Sequence, residues 1–141
     1  MNANEIENMI AFLKAINNKY DDISLMSILR QPYSISSIDM NSIAKIRVDH
    51  KEQSLYDCLL LSQDKKIISF LENFEMLCQY AKEHSPYDLL KKIYEVTEYP
   101  LFVTHLVNGE QRKANLDLLL EVIKQKQEQT PYLSDLLEEL M

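Results

Sequence analysis

The 141-residue sequence predicts an all-α fold, a compact multi-helix domain of about eight or nine short-to-medium helices. Gly109 is the only glycine, so the tight turns that sandwiches and barrels need have almost no glycine to form them. Apolar residues make up 46% of the chain and recur mostly at helical spacing. The length fits one domain, and we expect residues 1–141 to form a single helical domain.

The first third of the chain predicts three helices. The first should cover Asn4–Asn17, with Asn17-Asn18 as its end. Asp22 is expected to cap the second, and Pro32 to end it, because proline disfavours helical geometry in the residue before it. A third should begin after Ser36, which stands in a capping-box-like relation to Asp39.

The rest of the chain has clearer helix starts at Ser54, Asp64 and Ser85, the last followed by Pro86. A short apolar segment opens at Pro100 and stops at residues 108–109. We expect a helix end there with Gly109 in the left-handed conformation, because the flanking residues do not alternate as in a hairpin. Two more helices should cover residues 110–126 and the stretch that follows residues 130–131.

Charge and motifs limit the functions that the chain can have. A formal charge of −7 opposes indiscriminate binding to nucleic acid or an anionic membrane. The start is polar and acidic, unlike a signal peptide, and no apolar run approaches the ~20 residues of a membrane span, so we expect a cytoplasmic protein without membrane contact. There is no GxxxxGK[ST] loop, no histidine pair on one helix face and no nucleophile motif. We therefore predict no catalytic, metal-binding or cofactor-binding residue in this chain.

One polar run is unusual: Gly109-Glu110-Gln111-Arg112-Lys113-Ala114-Asn115-Leu116, which opens a helix after the only glycine. A solvated first helical turn would explain it, since charged runs are usually solvated faces. Alternatively, Arg112 and Asn115 lie three residues apart on one face and could present donors to a phosphate backbone or to a neighbouring domain.

This run resembles the GEQRxANL signature near the end of the 2B region in the helicase subunit of AddAB and RexAB helicase-nucleases, which are UvrD-like helicases. Two further segments resemble the same family in the same order. Residues 22–32, DISLMSILRQP, are similar to its DIPLxxVLRSP segment, and residues 89–99, LLKKIYEVTEY, to its LIxxIYxETGY segment. Gln31 replaces a serine and Glu98 a glycine. The second change puts the turn before Tyr99 in doubt, because glutamate tolerates positive φ poorly.

The resemblance implies a 2B-like helical region of a larger ATP-dependent DNA helicase and exonuclease that acts in double-strand break repair and recombination. ATP and Mg²⁺ are then expected in the full-length enzyme, and none in this fragment. The implied role is mechanical: the fragment would orient duplex DNA, which it binds weakly and without sequence preference, and would pack on the motor domains and on an AddB/RexB-type subunit.

The expected contacts with DNA or with other domains are made by eight polar side chains: Arg30, Lys45, Arg47, Lys51, Gln111, Arg112, Lys113 and Asn115. Two other hypotheses remain open. The chain could be a stand-alone helical module that binds a protein partner and has no DNA role. It could also be a small enzyme, which the missing motifs make the weakest of the three.

Overall fold

The computed structural model describes residues 3–31 and 38–140, and within them the chain forms nine helices and no strand. They are α1 Asn4–Asn17, α2 Asp22–Leu29, α3 Met40–Asp49, α4 Leu55–Leu60, α5 Lys65–Glu83, α6 Pro86–Thr97, α7 Tyr99–Thr104, α8 Gly109–Lys126 and α9 Leu133–Leu140. The all-α prediction and the number of helices are confirmed.

The core is one continuous apolar cluster to which every helix contributes. α1 is central to it, since it packs on α2, α5, α8 and α9, and its own stripe includes Met9, Phe12 and Leu13. α5 supplies Phe70 and Phe74, whose rings stack with centroids 5.7 Å apart. α5 also packs against α6, and Cys78 of α5 is only half-buried beside the core.

Most helix starts match the prediction because their caps are local. The side-chain oxygens of Ser54, Asp64 and Ser85 accept hydrogen bonds from backbone N–H groups of α4, α5 and α6. At α2 the prediction is wrong by one residue. Asp21 is the cap and accepts from the Ser24 N–H, which leaves the Asp22 carboxylate to accept from the Leu55 N–H of α4 at 3.1 Å.

The remaining predictions concern the start of α3 and the turn between α7 and α8. The third helix begins at Met40 with Asp39 as its cap, while Ser36 and Pro32 lie outside the described residues. At the α7–α8 turn the expected left-handed Gly109 is wrong. Asn108 has φ 59°, and Gly109 is the first residue of α8. Asparagine tolerates that conformation better than most residues, so the positive φ at residue 108 does not need a glycine.

Candidate functional site

The polar run at the start of α8 holds a buried carboxylate of α1. Arg112 donates from Nη1 to Glu5 Oε1 at 2.9 Å, and Asn115 donates from Nδ2 to Glu5 Oε2 at 2.8 Å. Arg112 also donates from Nε to the Val107 carbonyl at 2.8 Å. The side chain of Glu5 is only 2% exposed, whereas that of Arg112 is 29% exposed. The two donors three residues apart therefore meet one carboxylate and join α8 to α1.

The charge of Glu5 is maintained by these contacts. Burial alone would raise its pKa, because a carboxylate is less well solvated inside the protein. The hydrogen bonds from Asn115, from the backbone and from Arg112, together with the Arg112 charge, outweigh burial, so the pKa of Glu5 lies below its ordinary value. A buried ion of this kind needs both partners, since removal of one leaves an uncompensated charge.

The side chain of Asn8, one turn further along α1, joins the other two segments that resemble the family. Its amide pairs reciprocally with that of Gln31, with N···O distances of 3.2 and 3.1 Å, and its Nδ2 also donates to Tyr99 Oη at 2.9 Å. We call Glu5, Asn8, Gln31, Tyr99, Arg112 and Asn115 the α1 junction. All three segments with family resemblance therefore meet on one face of α1.

Two backbone features shape the turns beside the α1 junction. A Cβ on Gly109 would lie 2.3 Å from the Thr104 carbonyl oxygen, so the close approach of α7 to α8 requires glycine. Glu98, between α6 and α7, has φ 54°. The turn expected of a glycine is thus kept with glutamate in its place, and the strain is of the order of 1 kcal/mol.

A tyrosine links α6 to the end of the polar run. Tyr94 donates its hydroxyl to the Leu116 carbonyl at 2.8 Å, and burial raises the pKa of this phenol far above its ordinary value. In the same segment the Thr97 hydroxyl donates to the Ile93 carbonyl and accepts from the Tyr99 N–H. The segment therefore fixes the path of the chain from α6 into α7.

Three of the other predicted contact residues use their polar groups within the chain. Arg47 donates from Nη1 to the Gln53 carbonyl at 3.1 Å and lies 3.5 Å from the Asp22 carboxylate. Lys113 pairs with Asp117 at 3.1 Å, and Gln111 donates to Asn115 Oδ1 at 3.0 Å. The last two contacts are exposed and follow one helix face, where such pairs contribute little.

The remaining three predicted residues, Arg30, Lys45 and Lys51, are exposed, and none has a carboxylate within 4 Å among residues 3–31 and 38–140. Lys45 lies on α3, and Lys51 follows its end. Arg30 follows α2, which packs together with α3 on α4. These cations are thus available for an external anion, unlike Arg112.

Sequence reasoning missed Glu5 and Asn8. The sequence places Glu5 in a polar, acidic start, but this residue precedes Met9 by four positions and so shares the buried stripe of α1. That spacing was the available signal. No local pattern marked its partner 107 residues away.

Two kinds of site are absent from the described part of the chain. It holds no group of three or more His, Cys, Asp or Glu side chains placed to bind a metal ion. None of its helices combines the length and apolar character of a membrane span. The sequence contains no GxxxxGK[ST] phosphate-binding loop, and Arg112 and Asn115 of the α1 junction donate to Glu5.

The fold and the α1 junction define an all-helical protein in which hydrogen-bonded polar side chains join neighbouring helices. Comparison with curated proteins finds the AddA-type subunit of ATP-dependent helicase/nucleases. The Oenococcus oeni protein is 33% identical over 129 residues, 86% of this chain and 11% of that protein. The Enterococcus faecalis protein is 36% identical over 131 residues, 84% and 10%. The Oceanobacillus iheyensis protein is 37% identical over 126 residues, 83% and 10%. No protein-family model matches the chain.

These similarities confirm the resemblance carried by the three sequence segments, and the chain is an AddA-like helicase-subunit segment. It spans only about a tenth of the length of the curated relatives that it matches.

Proposed function

We propose that this chain is a single 2B-like helical domain of a DNA helicase-nuclease, a cytoplasmic accessory domain without catalytic groups of its own. The observation that carries the proposal is the α1 junction, since all three segments with family resemblance meet there. Packed helices tied by buried hydrogen bonds hold surface residues in fixed positions, which suits a part that orients DNA for a motor.

Within this role Arg112 and Asn115 act as a structural brace and not as DNA contacts. Both donate to Glu5, and a phosphate could attract Arg112 only by leaving a nearly buried carboxylate without its charged partner. Contacts with other domains and with duplex DNA are therefore made by residues other than Arg112 and Asn115.

Duplex DNA is contacted by Arg30, Lys45 and Lys51. These cations are exposed and not paired with carboxylates in the described residues, so they can neutralise phosphates without breaking an internal bond. Because the whole chain carries a charge of −7, we expect binding no tighter than is usual for non-specific complexes, whose dissociation constants are ~10⁻⁴–10⁻⁶ M. The motor domains would supply most of the binding free energy for DNA.

ATP hydrolysis with Mg²⁺, and cleavage of DNA, belong to other parts of the full-length enzyme, which acts in break repair and recombination. We expect this domain to pack against the motor domains and an AddB/RexB-type subunit. The apolar side chains Leu101, Leu106 and Val107 suit such packing, because they are 60%, 40% and 79% exposed around the α7–α8 turn.

The test is fluorescence anisotropy of a labelled duplex with the 141-residue chain at low salt. We expect weak binding that Lys45→Gln/Lys51→Gln weakens about threefold or more, since each lysine neutralises a phosphate. The control is Lys14→Gln/Lys65→Gln, which removes the same charge from α1 and α5. Equal weakening by the control would refute the assignment of Lys45 and Lys51 to DNA contact. ATP hydrolysis by the pure chain would refute a non-catalytic role.

A stand-alone protein-interaction module is the second candidate. The exposed apolar α7–α8 turn and the acidic charge favour it, because neither feature attracts DNA. The reading frame discriminates the two: continuation upstream into a GxxxxGK[ST] loop supports the helicase-nuclease domain. Absence of duplex binding at low salt, with normal folding, would support the interaction module.

A further inference from the structure

The turn between α7 and α8 carries the pair Asn108-Gly109, which contains the only glycine of the chain. Asn108 is exposed, and among the described residues its side chain accepts no hydrogen bond from the N–H groups that open α8. An asparagine that precedes glycine loses ammonia readily, because no side chain on the next residue obstructs attack on the carboxamide. The carboxamide of Asn108 is therefore open to attack by its own main chain.

The backbone nitrogen of Gly109 is the nucleophile in this reaction. Gly109 is the first residue of α8, so its N–H has no acceptor within that helix. The partial positive charge at a helix N-terminus also stabilises the amide anion that attacks. By contrast, the N–H that follows Asn41 in α3 donates to the Asp39 carbonyl at 3.0 Å. The main chain after Asn108 is thus better placed to react than the main chain after Asn41.

The reaction needs only water. The Gly109 nitrogen loses its proton to hydroxide and bonds to the side-chain carbonyl carbon, Cγ, of Asn108. The bond from Cγ to the amide nitrogen breaks, and this nitrogen takes a proton from water and leaves as ammonia. The product is a five-membered succinimide ring. Water then opens the ring at one of its two carbonyl carbons, which gives aspartate or isoaspartate.

The folded turn slows the closure of this ring. Asn108 has φ 59° and ψ 35°, and its Cγ reaches the Gly109 nitrogen only after rotation about ψ. That rotation moves Gly109, which lies so close to the Thr104 carbonyl that a Cβ would not fit. The α7–α8 turn must therefore open before the ring closes. Leu106, Val107 and Asn108 are all exposed, and exposed turns open at a lower free energy than the core.

We propose that Asn108 is a site of spontaneous modification, which is converted to aspartate or isoaspartate at a rate set by the opening of the α7–α8 turn. Aspartate adds a negative charge at the N-terminus of α8, where the helix dipole favours it. Isoaspartate instead routes the main chain through the former side chain. The carbonyl of residue 108, which accepts from the Arg112 N–H at 3.0 Å, then leaves the main-chain path. Isoaspartate should therefore weaken the start of α8 and the α1 junction beside it.

The experiment incubates the folded 141-residue chain at mildly alkaline pH and follows the masses of its tryptic peptides. Peptide 93–112 contains Asn108 and no other asparagine, and peptide 31–45 contains only Asn41. We expect the mass gain from replacement of nitrogen by oxygen to appear in 93–112 at least about fivefold faster than in 31–45. The chain unfolded in guanidinium should gain mass in 93–112 faster still, because the turn then no longer limits ring closure.

Ser42→Gly is the matched control, since it creates a second Asn-Gly pair inside α3. Asn41 of this folded variant should react more slowly than Asn108. Asn108→Ser should abolish the mass gain in 93–112. After incubation, the urea midpoint of the native chain should fall below that of Asn108→Ser.

Equal rates in 93–112 and 31–45 of the native chain would overturn the assignment to Asn108, as would a mass gain that persists in Asn108→Ser. Equal rates in 93–112 of the folded and unfolded chains, or at the two Asn-Gly pairs of folded Ser42→Gly, would refute control by the turn. An unchanged midpoint in a chain that has formed isoaspartate would refute the effect on α8.

Discussion

Replacement of Arg112 by methionine tests the α1 junction most sharply. Methionine keeps an unbranched stem but removes the donors to Glu5 and to the Val107 carbonyl. Loss of one partner of a buried ion pair costs ~3–5 kcal/mol, and because Arg112 is 29% exposed we expect about 2–4 kcal/mol. Urea unfolding followed by circular dichroism measures it. With a slope of ~2 kcal/mol per molar, the midpoint should fall by about 1–2 M.

The control is Lys113→Met on the next residue of α8, whose partner Asp117 is 60% exposed. We expect a change below ~0.5 kcal/mol there, as for other surface pairs. A double-mutant cycle with Glu5→Gln should give a coupling energy of ~1–3 kcal/mol between Glu5 and Arg112. A cost of less than ~1 kcal/mol for Arg112→Met, or the absence of coupling, would show that Arg112 does not join α8 to α1. Contact of Arg112 with a DNA phosphate would then be the remaining interpretation.

The same pair makes stability depend on pH. Because the pKa of Glu5 is lower in the folded chain, its ionised form stabilises the fold above the unfolded value of about 4.3. That contribution should disappear as the pH falls through the folded pKa. We therefore expect the stability difference between the native chain and Glu5→Gln to be largest near neutral pH and to shrink below about pH 4. A difference that stayed constant from neutral pH to the acid transition would contradict this assignment.

Three further substitutions test the packing and the turns by urea unfolding. Phe74→Ala should cost ~3–5 kcal/mol, because Phe74 is fully buried, whereas a change under ~1 kcal/mol would place it on the surface. Gly109→Ala should cost more than ~2 kcal/mol, since its Cβ would meet the Thr104 carbonyl oxygen, and an unchanged midpoint would contradict that contact. Glu98→Gly should stabilise the chain by about 0.5–1 kcal/mol by relieving the positive φ, and destabilisation would refute the strain.

Features set by a few neighbouring residues could be predicted from the sequence. Ser54, Asp64 and Ser85 are predictable as caps because a helix start needs an acceptor for backbone N–H groups two or three residues ahead. The exchange of Asp21 and Asp22 shows the limit of this reasoning. Adjacent aspartates offer the same acceptor, and only the contact of Asp22 with Leu55 decides between them.

The candidate site could be predicted only in part. The sequence indicates Arg112 and Asn115 and leaves open whether they meet a phosphate or a neighbouring group. The choice depends on Glu5, which lies more than a hundred residues away and comes close only when α1 packs on α8. The error at Gly109 has a similar origin. The sequence predicts that glycine supplies a positive φ there, whereas its lack of a Cβ admits the Thr104 carbonyl.

The affinity of the 141-residue chain for duplex DNA, measured across a series of salt concentrations, tests the proposed role most directly. We expect weak binding, with the logarithm of the association constant falling linearly as the logarithm of the salt concentration rises. The steepness of this slope should fall by about 2 when Lys45 and Lys51 are both replaced by glutamine, because each phosphate contact contributes ~0.9. No binding at the lowest salt, or a slope that is the same in the variant, would contradict the assignment of this helical domain to duplex DNA.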